Sequence, residues 1–558
     1  MNEVKTTIKK NTIFLYIFGI AIVSLLLKLY LVDFTIPVTS DNLDYLLMSL
    51  SFQNGDFTQS THRTSGWPLF VSLFYSLFES ENFYVYSNVI RILSISVSTV
   101  TIPLIYLVAR KFFDQRYSIV CASLLAFEPH LIYNSGFGLS EPIFLLVVLV
   151  SFYFILNKNT KFIIPSLIFA GFSWWLKLDG FFIFIIIGII YFVTFRHKKN
   201  KIRNFLIGFV LLILIVSPML IQKYEQFDDP FYSYYGDVMF AGSYEDLLGE
   251  NTKFNNSSAF EYIQNNDMFS FVENFFLQGI YNIIILLSKI SFPYLMILIP
   301  FGIFFSFRAF DQDSQYIKSN WIFILLALGS MILTLSIVEE RRYLFYLFPY
   351  LIIFSTIPIQ RVVEYGLNTF SFSRKQKDIF LVSTLLLVLI LSTLFIIFGY
   401  EKPNNELENE KRLMSEFVLE NLNGNFLRDF SSNMDYFNYQ LITSPPNNFH
   451  EYKISTGMDK FRKNFENRNS IYISANSLTN LIDAGETFDL KYIPIYANDN
   501  GFNHFLNDVY LNEKNYPYLE KIFDSDELNF QKIKIKIFEI DYKKYHELYE
   551  KNLKDNHT

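Results

Sequence analysis

The 558-residue chain has a single cysteine, Cys121, so it forms no internal disulfide and offers no cluster of thiolate ligands. Cys121 lies inside an apolar run and reads as a small packing residue. The 7 histidines and one cysteine show no zinc-site spacing. No Walker A or dinucleotide glycine fingerprint is present, which leaves cytosolic nucleotide chemistry without support. Charged residues make up only 18% of the chain, and nothing in their distribution points to nucleic acid as a partner.

Apolar residues are abundant instead: 51% hydrophobic and 19% aromatic, a composition that suits lipid-facing packing and an interfacial aromatic belt. Over the first 400 residues, apolar runs of about 16 to 23 residues recur, long enough to cross roughly 30 Å of hydrocarbon as helices. Eleven spans are predicted, at 12–32, 88–109, 117–133, 142–157, 162–176, 180–195, 203–222, 284–306, 320–338, 343–360 and 379–399. The first is too long for a signal-peptide core and lacks a small-x-small cleavage site, so it reads as a retained helix.

Cations set the expected orientation. One set of loops carries Lys5, Lys9 and Lys10, then Arg110, Lys111 and Arg116, then Lys158 and Lys161. The same side continues with Arg196, Lys198, Lys199, Lys201 and Arg203, with Arg308 and Lys318, and with Arg361, Arg374, Lys375 and Lys377. The opposite loops carry few. This predicts a multi-pass protein of the cell membrane with a cytoplasmic N-terminus and an extracytoplasmic C-terminal part. Two external segments are large, at 33–87 and 223–283. In the first, "GWPLFVSLFYSLF" (66–78) is too short to span and should lie in the interface or pack on the bundle. In the second, Asn255 and Asn256 both fit N-x-S, and "FSFVENFFLQGIYN" is amphipathic. After residue 400 the chain turns polar. A helix over 404–420 and strands over 470–475, 490–496 and 532–540 predict a small α/β domain at 401–558; the alternation of "KIKIKIFEI" suggests a half-buried strand.

The polar residues at span ends gather on the external side. Asp41, Asp44 and Tyr45 follow the first span; Ser140 and Glu141 precede the fourth. Lys177 and Asp179 fill the turn of "WWLKLDGFF", Lys223 and Tyr224 end the seventh span, and Arg341, Arg342 and Tyr343 precede the tenth. Charges at membrane depth are costly and are usually paired or functional. Lys and Arg suit a lipid-linked phosphate, and a carboxylate suits removal of a proton from an attacking hydroxyl. Each residue also has a plainer reading. Asp41 is a solvated or capping acid, Asp44 and Glu141 are first-turn acids favoured by the helix dipole, Lys177 snorkels, and the arginines anchor the surface. His62 and Arg63 lie where they can cover the site, and His130 reads as a satisfied polar residue. A divalent ion (Mg or Mn) on Asp41, Asp44 and Glu141 is chemically feasible through oxygen ligands.

Taken in order, Asp41-x-x-x-Tyr45, "NGDF", "SGWPLFVSLFYSLF", "LSEP", "WWLKLDGFF", "SPMLIQKYEQFDDPFYSYYG" and "ERRYLFYLFP" resemble the polytopic GT-C-type glycosyltransferases. The similarity is to the protein O-mannosyltransferase-like and aminoarabinose transferase-like enzymes of glycosyltransferase family 39, and it covers roughly residues 12 to 400. It implies an α-helical multi-pass GT-C domain over 1–400 and a polyprenyl-phosphate sugar donor. It also implies an inverting transfer to a hydroxyl of a protein, lipid or glycan. By the same resemblance Asp41 is the base, Glu141, Asp44 and Tyr45 position substrate, and Lys177, Arg341, Arg342 and Lys223 bind donor phosphate. Two departures stand out: Asn42 where relatives often have a second acid, and Lys223 where many have Arg. Oligosaccharyltransferases share the architecture but carry a Trp-Trp-Asp-x-Gly motif in the external domain, which residues 401–558 lack. That enzyme class, a transporter or flippase of a lipid-linked substrate, and a noncatalytic scaffold are the rival readings.

Overall fold

Proline and polar caps decide where the apolar runs become helices. The computed structural model describes residues 10–38, 41–58, 63–78, 80, 82–233, 239–240, 258–307, 313–400, 405–427, 451–455, 470–474, 477–497 and 504–555. His62, Asn255 and Asn256 lie outside them. The chain divides into two compact units, 1–239 with 258–402, and 240–257 with 403–558.

The first unit is helical. It begins with α1 (Lys10–Leu31), α2 (Asp41–Gln53), α3 (Gly66–Tyr75), α4 (Phe83–Ala109), α5 (Gln115–Ala126) and α6 (Pro129–Ser135). It continues with α7 (Glu141–Ile155), α8 (Ile163–Leu176), α9 (Gly180–Thr194) and α10 (Lys201–Phe227). The predicted span 117–133 is two helices, because Pro129 cannot continue α5 and instead opens α6 at N1, with Glu128 accepting from the Leu131 amide. Next come α11 (Gln278–Ser291) and α12 (Leu295–Ser306), separated at Pro293 within the predicted span 284–306. The amphipathic stretch placed outside is helical too and runs without a break from Met268 into α11. Then follow α13 (Ser314–Ser330), a 3-10 segment Arg341–Leu347, α14 (Phe348–Arg361) and α15 (Arg374–Gly399), the last opened by a Ser373/Gln376 capping box.

Among the described residues, six helices are long and apolar enough to cross a membrane, with further shorter apolar helices between them. α14 is buried along nearly its whole length, whereas α1, α10 and α15 expose Tyr30, Leu214 and Phe398. Central and lipid-facing helices are thereby distinguished, as a multi-pass bundle requires. α3 is the predicted short apolar segment: Trp67, Val71 and Tyr75 are buried against the bundle, and Leu73 and Leu77 face out.

The second unit is α/β. A six-stranded mixed sheet has the order β3-β2-β1-β4-β6-β5, formed by β1 (Asn425–Leu427), β2 (Glu451–Ser455), β3 (Ser470–Ser474), β4 (Leu490–Tyr496), β5 (Leu519–Asp524) and β6 (Ile535–Ile540). β6 is antiparallel to β4 and β5, while β1, β2 and β3 pair in parallel and β1 also pairs in parallel with β4. α16 (Asn405–Asn421) buries Met414 and Val418 with Ile535 and Ile537. α17 (Leu478–Thr487) and α18 (Tyr542–Asp555) bury Leu481, Ile482 and Tyr545 with Phe538 and Ile540. β6 is therefore covered on both faces, where the alternation suggested one; its Lys536 turns aside to Glu513 and the Tyr510 carbonyl.

Candidate active site

The site is assembled from helix ends. After α1, residues 32–38 form no helix or strand, and α4 holds them. Arg91 donates to the carbonyls of Asp33 at 3.0 Å, Pro37 at 3.1 Å and Ile36, while Ser87 accepts from the Val38 amide at 2.8 Å. Asp41, the first residue of α2, is thereby presented at the bundle end. A second clamp holds the chain before α3. Thr64 donates to the Leu176 carbonyl at 2.7 Å, and a Cβ on Gly66 would sit 2.6 Å from the Trp175 backbone, so only glycine permits this approach. Gly180 serves the same purpose on the other side of the Lys177 turn, where a Cβ would meet the Ser173 backbone at 2.2 Å.

These clamps bring three arms together. Asp41 is bound through both oxygens, Oδ1 accepting from Arg63 and Oδ2 from Arg342. Arg63 also donates to Asp44 at 3.2 Å and lies over the Tyr45 ring. Glu141, at the first position of α7, accepts from Lys177 Nζ at 2.8 Å, and that ammonium lies 5.2 Å from the Tyr343 ring centre. Tyr45 and Ser140 join the arms through a 3.2 Å hydroxyl contact. Arg342 is a charge neighbour of both Asp41 and Glu141. Burial alone would raise the Asp41 pKa, but Arg63 and Arg342 outweigh it and hold the carboxyl below its usual range. Burial, reinforced by Glu141, pushes the Tyr45 phenol up to about 12, so it is a neutral hydrogen-bonding group rather than a base.

Of the residues singled out in the sequence, Asp41, Tyr45, Glu141, Lys177 and Arg342 meet here, with Asp44 at the exposed edge. Two do not. Arg341 is exposed, and its charge neighbours are His130 and Tyr400. Lys223 is buried, and its ammonium donates to the Tyr232 carbonyl at 2.8 Å. Asp41, Asp44 and Glu141 do not converge on a shared divalent ion: among the described residues no three His, Cys, Asp or Glu side chains gather, and these carboxylates face cations. The residues as arranged do not fit Mg or Mn. Sequence reasoning gave Arg63 only a covering role and passed over Arg91, whose signal was an arginine inside an apolar span.

This arrangement can hold an anion between cations drawn from three segments and present a carboxylate beside it. Residues 62–221 match the family model for dolichyl-phosphate-mannose-protein mannosyltransferase. No curated protein matches the chain by sequence. Among solved structures, the apo oligosaccharyltransferase of Archaeoglobus fulgidus is similar at 15% identity, with a TM-score of 0.57, over 88% of this chain and 70% of that one. The same archaeal enzyme complexed with Zn and sulfate gives a TM-score of 0.55 at 15% identity, over 86% of this chain and 68% of that one. ArnT from Cupriavidus metallidurans bound to undecaprenyl phosphate gives 0.54 at 11% identity, over 95% of this chain and 98% of that one. The chain thus shares the fold of these enzymes along most of its length, and within it residues 62–221 match that family model.

Proposed function

We propose that the protein transfers a sugar from a polyprenyl-phosphate donor to a hydroxyl acceptor at the extracytoplasmic face of the cell membrane, with inversion. The observation that carries this reading is Asp41 gripped by two arginines from different parts of the chain, beside the Glu141–Lys177 pair. A carboxylate so gripped is a poor base. A donor phosphate competes for the same guanidiniums, and Arg binds phosphate in bidentate fashion. As Arg63 and Arg342 turn to the phosphate, Asp41 is released and regains basicity where the acceptor hydroxyl must lose its proton. The hydroxyl oxygen then bonds to the anomeric carbon, the bond from that carbon to the phosphate oxygen breaks, the proton passes to Asp41, and polyprenyl phosphate leaves with its charge neutralised by Arg63, Arg342 and Lys177. Glu141 orients Lys177, and Tyr45 braces Ser140 at the start of α7.

In this reading Arg63 takes a phosphate role, and Arg341 and Lys223 have none. The hydroxyl acceptor is favoured over an amide by the missing Trp-Trp-Asp-x-Gly string. The test is mass spectrometry of surface glycans, glycolipids and glycoproteins from cells with the wild-type chain, with Asp41→Asn and with none. A glycan lost equally in the last two supports the reading. A glycan unchanged by Asp41→Asn in a folded, inserted protein overturns the role of Asp41.

A further inference from the structure

Lys28 sits in the last turn of α1 and is 2% exposed. A lysine near a helix end ordinarily extends its ammonium along the helix to the headgroups. Lys28 turns inward instead, donating to Ser98 Oγ at 2.8 Å and Thr99 Oγ1 at 3.4 Å on α4. Among the described residues no carboxylate pairs with it. A charged group buried without an opposite charge is costly and calls for a further partner.

A second incomplete group lies across a small cavity. Glu141 is 7% exposed; its Oε1 is bound by Lys177, and its Oε2 is buried without a hydrogen-bond partner. Lys28 and Glu141 line the same cavity of about 20 Å³, together with Ser98, Thr101, Asn134 and Leu145. A cavity holds a water when it offers about 10–15 Å³ and 2–4 polar partners. This one offers both and is too small for a sugar.

We infer that the cavity is an internal water site, in which a water accepts from the Lys28 ammonium and donates to Glu141 Oε2. Glu141 is then held between two ammonium groups, directly by Lys177 and across the water by Lys28. Its carboxylate plane is fixed, and the Lys177 ammonium it orients is fixed with it. Lys28 is thus a positioning residue for anion binding, acting from inside the bundle; this consequence, unlike the water itself, rests on the donor-phosphate role proposed above.

The test uses the full chain in nanodiscs, with undecaprenyl phosphate as the probe. A high-resolution map of the wild type is expected to show a water bonded to Glu141 Oε2; an empty cavity overturns the inference. Lys28→Met removes the ammonium. Leu145→Phe fills the cavity and leaves Lys28 in place. Both should raise the Kd for undecaprenyl phosphate about tenfold. An unchanged Kd in both, or a rise in Lys28→Met alone, overturns coupling through the water. Wild type that does not bind undecaprenyl phosphate defeats the proposed function instead, and the map still decides the water site.

Discussion

Two acids in the helical unit illustrate opposite uses of a carboxylate. Asp41 opens α2, is a quarter exposed, and is bound by two cations. Glu128 precedes α6, is fully buried, and spends one oxygen on the Leu131 amide at 2.7 Å, with no cation paired to it among the described residues. Around Glu128 the neighbours are aromatic: His130 contacts the Tyr400 hydroxyl at 2.5 Å, and Tyr133 stacks on Tyr400 at 3.7 Å. The Glu128 region closes a helix start in an apolar setting. The Asp41 region holds a carboxylate between two guanidiniums. Helix position alone does not separate the two, since both sit at a helix start; burial and partners do.

The widest separation should come from neutralising each acid. Asp41→Asn is expected to lower sugar transfer by about 10²–10⁴-fold, the range for a general base, while undecaprenyl phosphate binding is kept or tightened because Arg63 and Arg342 are freed. Glu128→Gln should keep transfer within about threefold and lower the thermal midpoint, as the weakening of a helix cap does. Turnover and thermal unfolding measured on both variants would break the comparison if the two behave alike.

Neighbouring arginines sharpen it next. Arg342→Gln removes a charge-assisted contact and should weaken undecaprenyl phosphate binding by about 10- to 100-fold, in line with roughly 1.5–3 kcal/mol for such a bond. Arg341→Gln, on the side of His130 and Tyr400, should change it less than about twofold. Equal losses, read by titration in nanodiscs, would show that both arginines reach the anion.

Smaller effects concern support and pH. Arg91→Met frees three carbonyls between α1 and α2 and should lower kcat about tenfold with little change in donor KM, with Arg91→Lys recovering part of it. For pH, the Asp41 carboxyl is depressed in the free protein. Its stabilising contribution is present above the ordinary aspartate value, about 4, and is lost as pH falls through the lower folded value. The acid limb of kcat/KM, which reports the free enzyme, should therefore lie below about pH 4. In the proposed mechanism phosphate draws the arginines away, so the limb of kcat should lie higher. Coincident limbs would mean that the donor leaves the Asp41 clamp closed.

Long apolar runs made the spanning segments legible, because hydrocarbon thickness imposes their length whatever the packing. The interruptions at Pro129 and Pro293 were written in the sequence as well, yet an apolar count passes over them. The short parallel strands β1 and β2 escaped because three to five residues carry little periodicity and are paired by distant chain. At the site, Asp41, Glu141 and Lys177 stood out as charges at span ends. Arg342 could not be told from Arg341, since adjacent residues in a 3-10 segment point about 120° apart and only tertiary packing chooses between them. Arg63 found its place through Gly66 and Thr64, whose contacts with α8 leave no mark in a single sequence.

That seat at Gly66 also dictates how the protein tolerates change. Because the α3 start rests on the α8 backbone rather than on side chains, Arg63 and Lys177 keep their spacing by chain connectivity, only a few bonds from a shared anchor. Insertions after α3 leave that spacing alone, whereas one extra residue between Arg63 and Gly66 swings the guanidinium off Asp41. The two residues there, Thr64 and Ser65, act as a molecular gauge, and their number, more than the identity of their side chains, is the quantity a redesign must preserve.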